Sequence, residues 1–206
     1  KDRVVVVKTD YVGPRYSQTL GTQSAWLVAL TLLLIFIYSA IRFKIQYAIG
    51  AVLAIMHDAL IMVAFIVWTR MEFNTNTIAA ILTILGYSIN DTIVQFDRVR
   101  EERKIHPSDK FVDVLDMALT LTLGRSIITT LTTMLAVLAL FFFTTGSIKD
   151  FSLALLVGMT SGVYSTIFIA SAFVLMWENI KAKKDSRGPK EASLEAKSKA
   201  PAPAKG

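Results

Sequence analysis

The sequence predicts an all-α, polytopic membrane protein, and three observations carry that prediction. First, 53% of the 206 residues are hydrophobic and only 18% are charged, with a mean hydropathy of +0.52, which is too apolar for a water-soluble domain of this size. Second, the apolar residues fall into separate continuous runs of roughly 18 to 25 residues, the length a helix needs to cross a bilayer core. Continuous runs, unlike short alternating ones, exclude a β-barrel. Third, the basic residues collect on alternate links between the runs, as the positive-inside rule requires of a multi-pass protein.

Residues 4–12, VVVVKTDYV, are rich in β-branched side chains and stop at Gly13-Pro14. They predict a strand, a β remnant that needs partner strands from a water-soluble domain. Residues 1–22 are therefore assigned to the end of an extracytoplasmic domain and the approach to the membrane. The first residue is Lys1 rather than Met, so the chain is expected to be a piece of a longer protein.

The membrane domain is predicted over 23–180. Its first span, 24–41, ends at Arg42 and Lys44, and its second, 46–68, follows so closely that the two form a tight antiparallel hairpin. A polar link with Arg70 and Glu72 leads to a third span, 77–96. Residues 97–110 hold the heaviest basic cluster between spans. Asp109, Asp113, Asp116 and Thr120 share one helical face, which predicts a separate amphipathic cytoplasmic helix over 109–122 with Ser108 as its N-cap. A fourth span, 125–145, a short GSIKD link and a fifth span, 151–177, complete the domain. Residues 181–206 have almost nothing to bury and are predicted to form a disordered, basic cytoplasmic tail, solvated first of all, with contact to anionic lipid or a ribosome as the other readings.

If every span crosses once, Arg42 and Lys44, the 98–110 cluster and Lys181, Lys183 and Lys184 share one face. That face is predicted to be cytoplasmic, with the N-terminus outside. The net charge of +6 therefore serves topology rather than nucleic acid. With no cysteine in the chain, disulfides, thiol nucleophiles and thiolate metal sites are excluded. No P-loop, hydrolase triad or Gly-rich nucleotide fingerprint occurs, so ordinary enzyme catalysis is not expected.

The chemistry is expected where charge enters a span. The stretch from Gly86 to Glu101, GYSINDTIVQFDRVRE, places Ser88, Asn90 and Asp91 inside an apolar run. An aspartate there costs on the order of 2.5 to 3.5 kcal/mol on insertion scales. Ser88, Asp91 and Gln95 share a face, as do Arg125, Thr129, Thr132 and Thr133 on the next span. Opposite charges on successive antiparallel spans predict an Asp91 and Arg125 pair, with Asp58, Asn90, Ser88, Thr129 and Thr133 in support. Arg125 also lies near the end of its span, where a lysine or arginine can simply snorkel to the interface. Burial favours a protonated carboxyl and a nearby guanidinium favours the ionised one, so an Arg that approaches and withdraws would make Asp91 a proton carrier. A potential of 100 mV supplies roughly 2.3 kcal/mol per charge, a bias of about fiftyfold. His57 and Asp58 point about 100° apart on their helix and cannot share a metal without ligands from elsewhere, so no metal is expected. Gly158 and Gly162 form a GxxxG, a close-packing signal.

Four motifs together carry a family resemblance: Val12-Gly13-Pro14, His57-Asp58, GYSINDTIVQFDRVRE, and GRSIITTLTT over 124–133. From about residue 10 to 178 the chain resembles the SecF family of protein-export membrane subunits. The resemblance implies five spans of a six-helix membrane domain of the resistance-nodulation-division (RND) superfamily, in the bacterial inner membrane. It implies pairing with SecD and association with the SecYEG channel, with YajC and SecA-driven preprotein as further partners, and protons as the coupling ion with no other cofactor. The family's intramembrane Asp and Arg fall on Asp91 and Arg125, and Asp58 matches a further family position. Two other readings of the residues stand beside this one: a proton-coupled solute or ion exporter of the same superfamily, and a non-catalytic scaffold whose polar residues only hold helices together.

Overall fold

The computed structural model describes residues 14–184, with side chains from residue 18. The expected N-terminal strand, and the tail beyond 184, lie outside the described residues. Five rods long and apolar enough to cross a membrane fill the rest, and no strand occurs among the described residues.

Helix α1 (Pro14–Arg42) begins well before its apolar run, because Pro14 is compatible with a first helical turn and nothing in the polar stretch that follows breaks a helix. Arg42 sits in its last turn, favourably placed on the helix dipole. Helix α2 (Ile45–Thr69) starts after only two intervening residues, giving the expected hairpin. It closes at Arg70, whose backbone is left-handed (φ 54°) and returns its N–H to the carbonyls of Ile66 and Val67.

Helix α3 (Thr75–Ile105) opens on a capping box absent from the sequence reading. The Asn74 side chain accepts from the N–H groups of Asn76 and Thr77, and Thr77 Oγ1 accepts from Asn74 N–H at 2.8 Å. The helix then runs past its apolar stretch through the charged residues. Arg98 pairs with Glu101 at 2.7 Å and with buried Glu102 at 2.6 Å, one turn apart, which supports helix there.

Two expected boundaries are corrected. The amphipathic segment 109–122 and the fourth span are one continuous helix, α4 (Phe111–Phe143); Gly124 is tolerated within a helix, and no proline separates the halves. Its N-cap is Lys110, with no side-chain cap bond, rather than Ser108, whose hydroxyl turns to the Asp109 carboxylate at 3.4 Å. The fifth rod begins as α5 (Ser147–Tyr164), widens into a π-helical turn at Ser165–Ala170, and resumes as α-helix over 171–184. Residues 181–184, expected in the tail, are therefore helical.

Packing centres on α2, α3 and the fifth rod, while α1 and α4 leave most of their surface exposed. Gly158 lies so close to α3 that an added Cβ would sit 2.5 Å from Ile84 Cγ1, and one at Gly162 would sit 3.3 Å from Ser88 Cβ. Two apolar clusters result. One gathers Ile55, Met62, Ile84, Leu85 and Met159; the other gathers Tyr47, Phe96, Val99, Ala170 and Val174 near the basic end. Between them the same three helices contribute a layer of buried polar side chains.

Candidate functional site

The layer is built around Asp58, which is fully buried on α2. Ser88 from α3 donates to its Oδ2 at 2.6 Å and Ser165 donates to the same oxygen at 2.7 Å. Ser161 donates to Oδ1 at 2.7 Å, and His57 Nδ1 lies 3.3 Å from that oxygen. A carboxylate in a low-dielectric interior needs this many donors, because each missing bond leaves desolvated charge uncompensated. Both oxygens are satisfied. Among the described residues no group of three or more His, Asp or Glu gathers to hold a metal.

One turn toward the basic end, the layer continues. Thr92 and Thr166 join hydroxyls at 2.8 Å, and Gln95 Nε2 donates to the Thr166 carbonyl at 3.3 Å and to the Ser171 hydroxyl. These contacts account for the π turn physically. A wide turn disturbs the regular backbone ladder, and the Thr166 carbonyl there receives side-chain donors instead, Gln95 from α3 and Ser171 at 3.2 Å.

Asp91 lies on another face of α3, half-buried against α4. Ser126 donates to its Oδ1 at 2.5 Å, while its Oδ2 is buried with no hydrogen-bond partner among the described residues. The expected Asp91 and Arg125 pair is not formed: among the described residues no ion pair joins them. The reason is helical phase. The polar stripe of α4 that turns inward is Thr122, Ser126 and Thr130, all buried, one residue out of step with the expected stripe. Arg125 is thereby rotated about 100° from Ser126 and exposed. It lines a cavity of about 530 Å³ between α3 and α4 with Asp97, Arg98, Glu101 and Thr122. Val94 and Thr122 of that lining lie one helical turn from Asp91 and Ser126 respectively, roughly 5 Å along each axis.

The supporting residues divide in the same way. Ser88 binds Asp58 rather than extending the Asp91 site. Thr129 is exposed and Thr133 half-buried, and they return their hydroxyls to the carbonyls of Arg125 and Thr129 on their own helix, while Asn90 is exposed. Sequence reasoning missed Thr92 and Ser126. A signal for Ser126 existed in the spacing Ala118, Thr122, Ser126, Thr130, small residues every four positions on one helical face.

A five-rod helical bundle with two carboxylates at mid-span, one buried and saturated and one half-buried and open on one side, defines the class: a polytopic membrane protein with a charge-bearing interior. Within that class, residues 1–180 match the model of the protein export membrane protein SecD/SecF C-terminal family, and the chain belongs to that family. It is 53% identical over 175 residues to the protein translocase subunit SecF of Treponema pallidum, covering 85% of this chain and 42% of that protein. It is 44% identical to the protein translocase subunit SecDF of Bacillus subtilis, over 85% of this chain and 24% of that one. The crystal structure of SecDF from Thermus thermophilus, titled a translocon-associated membrane protein, superposes with a TM-score of 0.77 at 39% identity, covering 82% of this chain and 23% of that chain. The chain thus spans less than two thirds of the length of these relatives. The SecDF match also places the five helices within a SecDF-type membrane domain, the fold class read from the sequence.

Proposed function

We propose that the chain is the membrane part of a SecF subunit that couples proton movement past Asp91 to late steps of preprotein export. The observation that carries this reading is the open oxygen of Asp91, buried and without a partner among the described residues, one helical turn from a charge-lined cavity at the basic end. A carboxylate with one committed and one uncommitted oxygen can take up and release a proton without dismantling the packing around it. Arg125, free of ion pairs among the described residues and lining the same cavity, is positioned to swing toward Asp91 when it is ionised and away when it is neutral.

Arg125 and Asn90 are exposed at or near membrane depth, where a polar side chain facing lipid is costly. They call for a covering partner, and SecD is the partner proposed, with SecYEG as the channel the pair joins and YajC and the SecA-driven preprotein as further contacts. The basic end faces the cytoplasm of a bacterial cell and the N-terminus of the chain faces outside, by the positive-inside rule.

The test replaces Asp91 with Asn in the complete protein and follows export of a secreted precursor with and without a proton gradient, alongside the amount of assembled complex. Loss of the gradient-dependent stimulation at normal assembly is the expected result. Unchanged stimulation would sink the proton-coupling role. A fall in assembly alone, with full activity per complex, would leave Asp91 as a scaffold residue.

A further inference from the structure

At the basic end, away from both carboxylates, a cleft of about 390 Å³ opens where the α1–α2 turn meets the C-terminal part of α3. Its walls are cationic: Arg42, Lys44, Arg100, Arg103 and Lys104. Its floor is aromatic and well packed, with Phe43 and Tyr47 buried and the Tyr47 ring edge-on to Phe96 at 5.0 Å between centroids.

The cations are held in place but scarcely neutralised. Among the described residues Arg42 alone of these cations has a carboxylate partner, Asp97 at 2.9 Å. Arg100 donates to the Arg42 carbonyl at 3.3 Å and Arg103 to the Asp109 carbonyl at 2.7 Å, contacts that orient a guanidinium without cancelling its charge. Lys44 and Lys104 form no ion pair among the described residues. Glu178, which acts electrostatically on Tyr47 of the floor, is engaged by the buried Gln46 amide. Gathering like charges around one concavity costs free energy unless an anion fills it.

The surroundings say which anion. Ile41 and Ile45, flanking the α1–α2 turn, are 83% and 50% exposed, and the apolar stretches of α1 and α2 end and begin here, at the level where hydrocarbon gives way to headgroups. We propose that the cleft binds the phosphate of an anionic phospholipid, whose acyl chains lie against Ile41 and Ile45 while the cations engage the headgroup. Basic pockets between membrane helices take anionic headgroups by this division of labour, and arginine forks add directed hydrogen bonds to phosphate oxygens.

The test uses the full-length protein, released from nanodiscs of mixed phosphatidylglycerol and phosphatidylcholine and weighed with its retained lipids by native mass spectrometry. Wild type is expected to retain phosphatidylglycerol in preference to phosphatidylcholine. The R100Q/R103Q/K104Q variant is expected to lose that preference by roughly tenfold, and R100K/R103K/K104R to keep it. R70Q/K149Q, which removes charge from the opposite end, serves as the control and is expected to change nothing. Each single glutamine change lies at an exposed position and is expected to lower retention about two- to threefold, which keeps the inference testable if the triple variant is unstable. Retention unchanged in the glutamine variants, or lowered equally by R70Q/K149Q, would overturn it. So would displacement by millimolar inorganic phosphate, which would make the site a soluble-anion site, or by a polyglutamate peptide, which would make it a protein-docking patch.

Discussion

Asp58 and Asp91 sit on neighbouring helices at mid-span, and their surroundings differ in kind. Asp58 is fully enclosed and receives three serine hydroxyls, with His57 Nδ1 as a fourth neighbour. Asp91 receives one hydroxyl and keeps one oxygen bare. The difference teaches what each carboxylate is arranged for. Every donor to Asp58 comes from a different position on a neighbouring element, so Asp58 ties α2, α3 and the fifth rod at one level. Asp91 is held to α4 by a single hydrogen bond, from Ser126.

The sharpest way to break this comparison is to remove each carboxylate in turn. Asp58→Ala strips three serine hydroxyls, those of buried Ser88 and Ser165 and of half-buried Ser161, of their shared acceptor and is expected to destabilise the full-length protein by about 2 to 4 kcal/mol, the sum of modest intramembrane hydrogen bonds and the cost of unsatisfied groups. Asp91→Ala, losing one bond, is expected to cost less than about 1 kcal/mol. Thermal midpoints of the two variants in detergent decide the matter. Equal losses would mean that the number of hydroxyl partners is not what distinguishes the sites.

A second, smaller effect probes the close approach that lets the Asp58 layer form. Gly158→Ala places a methyl 2.5 Å from Ile84 Cγ1 and 2.8 Å from Met62 Sδ, so α5 must move from α3 or Ile84 must change rotamer, at about 1 to 3 kcal/mol. If the clash with Ile84 is the cause, adding Ile84→Ala should recover part of the loss, and the double variant should be less destabilised than the sum of the two singles. Strict additivity of the midpoints would place the strain elsewhere.

These contrasts also mark what could be read from residues alone. Apolar run length and the sorting of basic residues depend only on local sequence and the bilayer's thickness, so the five rods and their hairpin were legible. Rod ends were less so. Where Arg98 pairs with Glu101 and Glu102, local ion pairs carry α3 on past its continuous apolar run, and the absence of a breaker near Gly124 fuses two expected helices into one. The candidate site was legible as a set of titratable positions but not as a set of contacts. Asp58 meets Ser161 and Ser165 across more than a hundred residues, and no local pattern encodes that distance. The Asp91 carboxylate meets Ser126 rather than Arg125 in this structure, a single residue of helical phase away, since charge drew attention to Arg125 while the buried face of α4 belongs to Ser126. In a membrane helix small hydroxyl residues can face inward more cheaply than an arginine can.

The smallest effect isolates that one residue. Ser126→Ala removes the only hydrogen bond the described structure gives to the Asp91 carboxylate and is expected to change the thermal midpoint by the equivalent of about 0.6 kcal/mol, the average for a bond between membrane helices. Its consequence should appear in reactivity instead. A membrane-permeant carbodiimide attacks protonated carboxyls that it can reach, so Asp91 should label readily in the wild-type protein, Asp58 should stay protected by its serines, and Ser126→Ala should raise labelling at Asp91 a few-fold while leaving Asp58 unmodified. Peptide mapping of the labelled protein reads both positions at once. Labelling of Asp58 at a rate matching Asp91 would mean that the serine cage opens as easily as the α3–α4 contact, and the two carboxylates would then have to be treated as one exchangeable system.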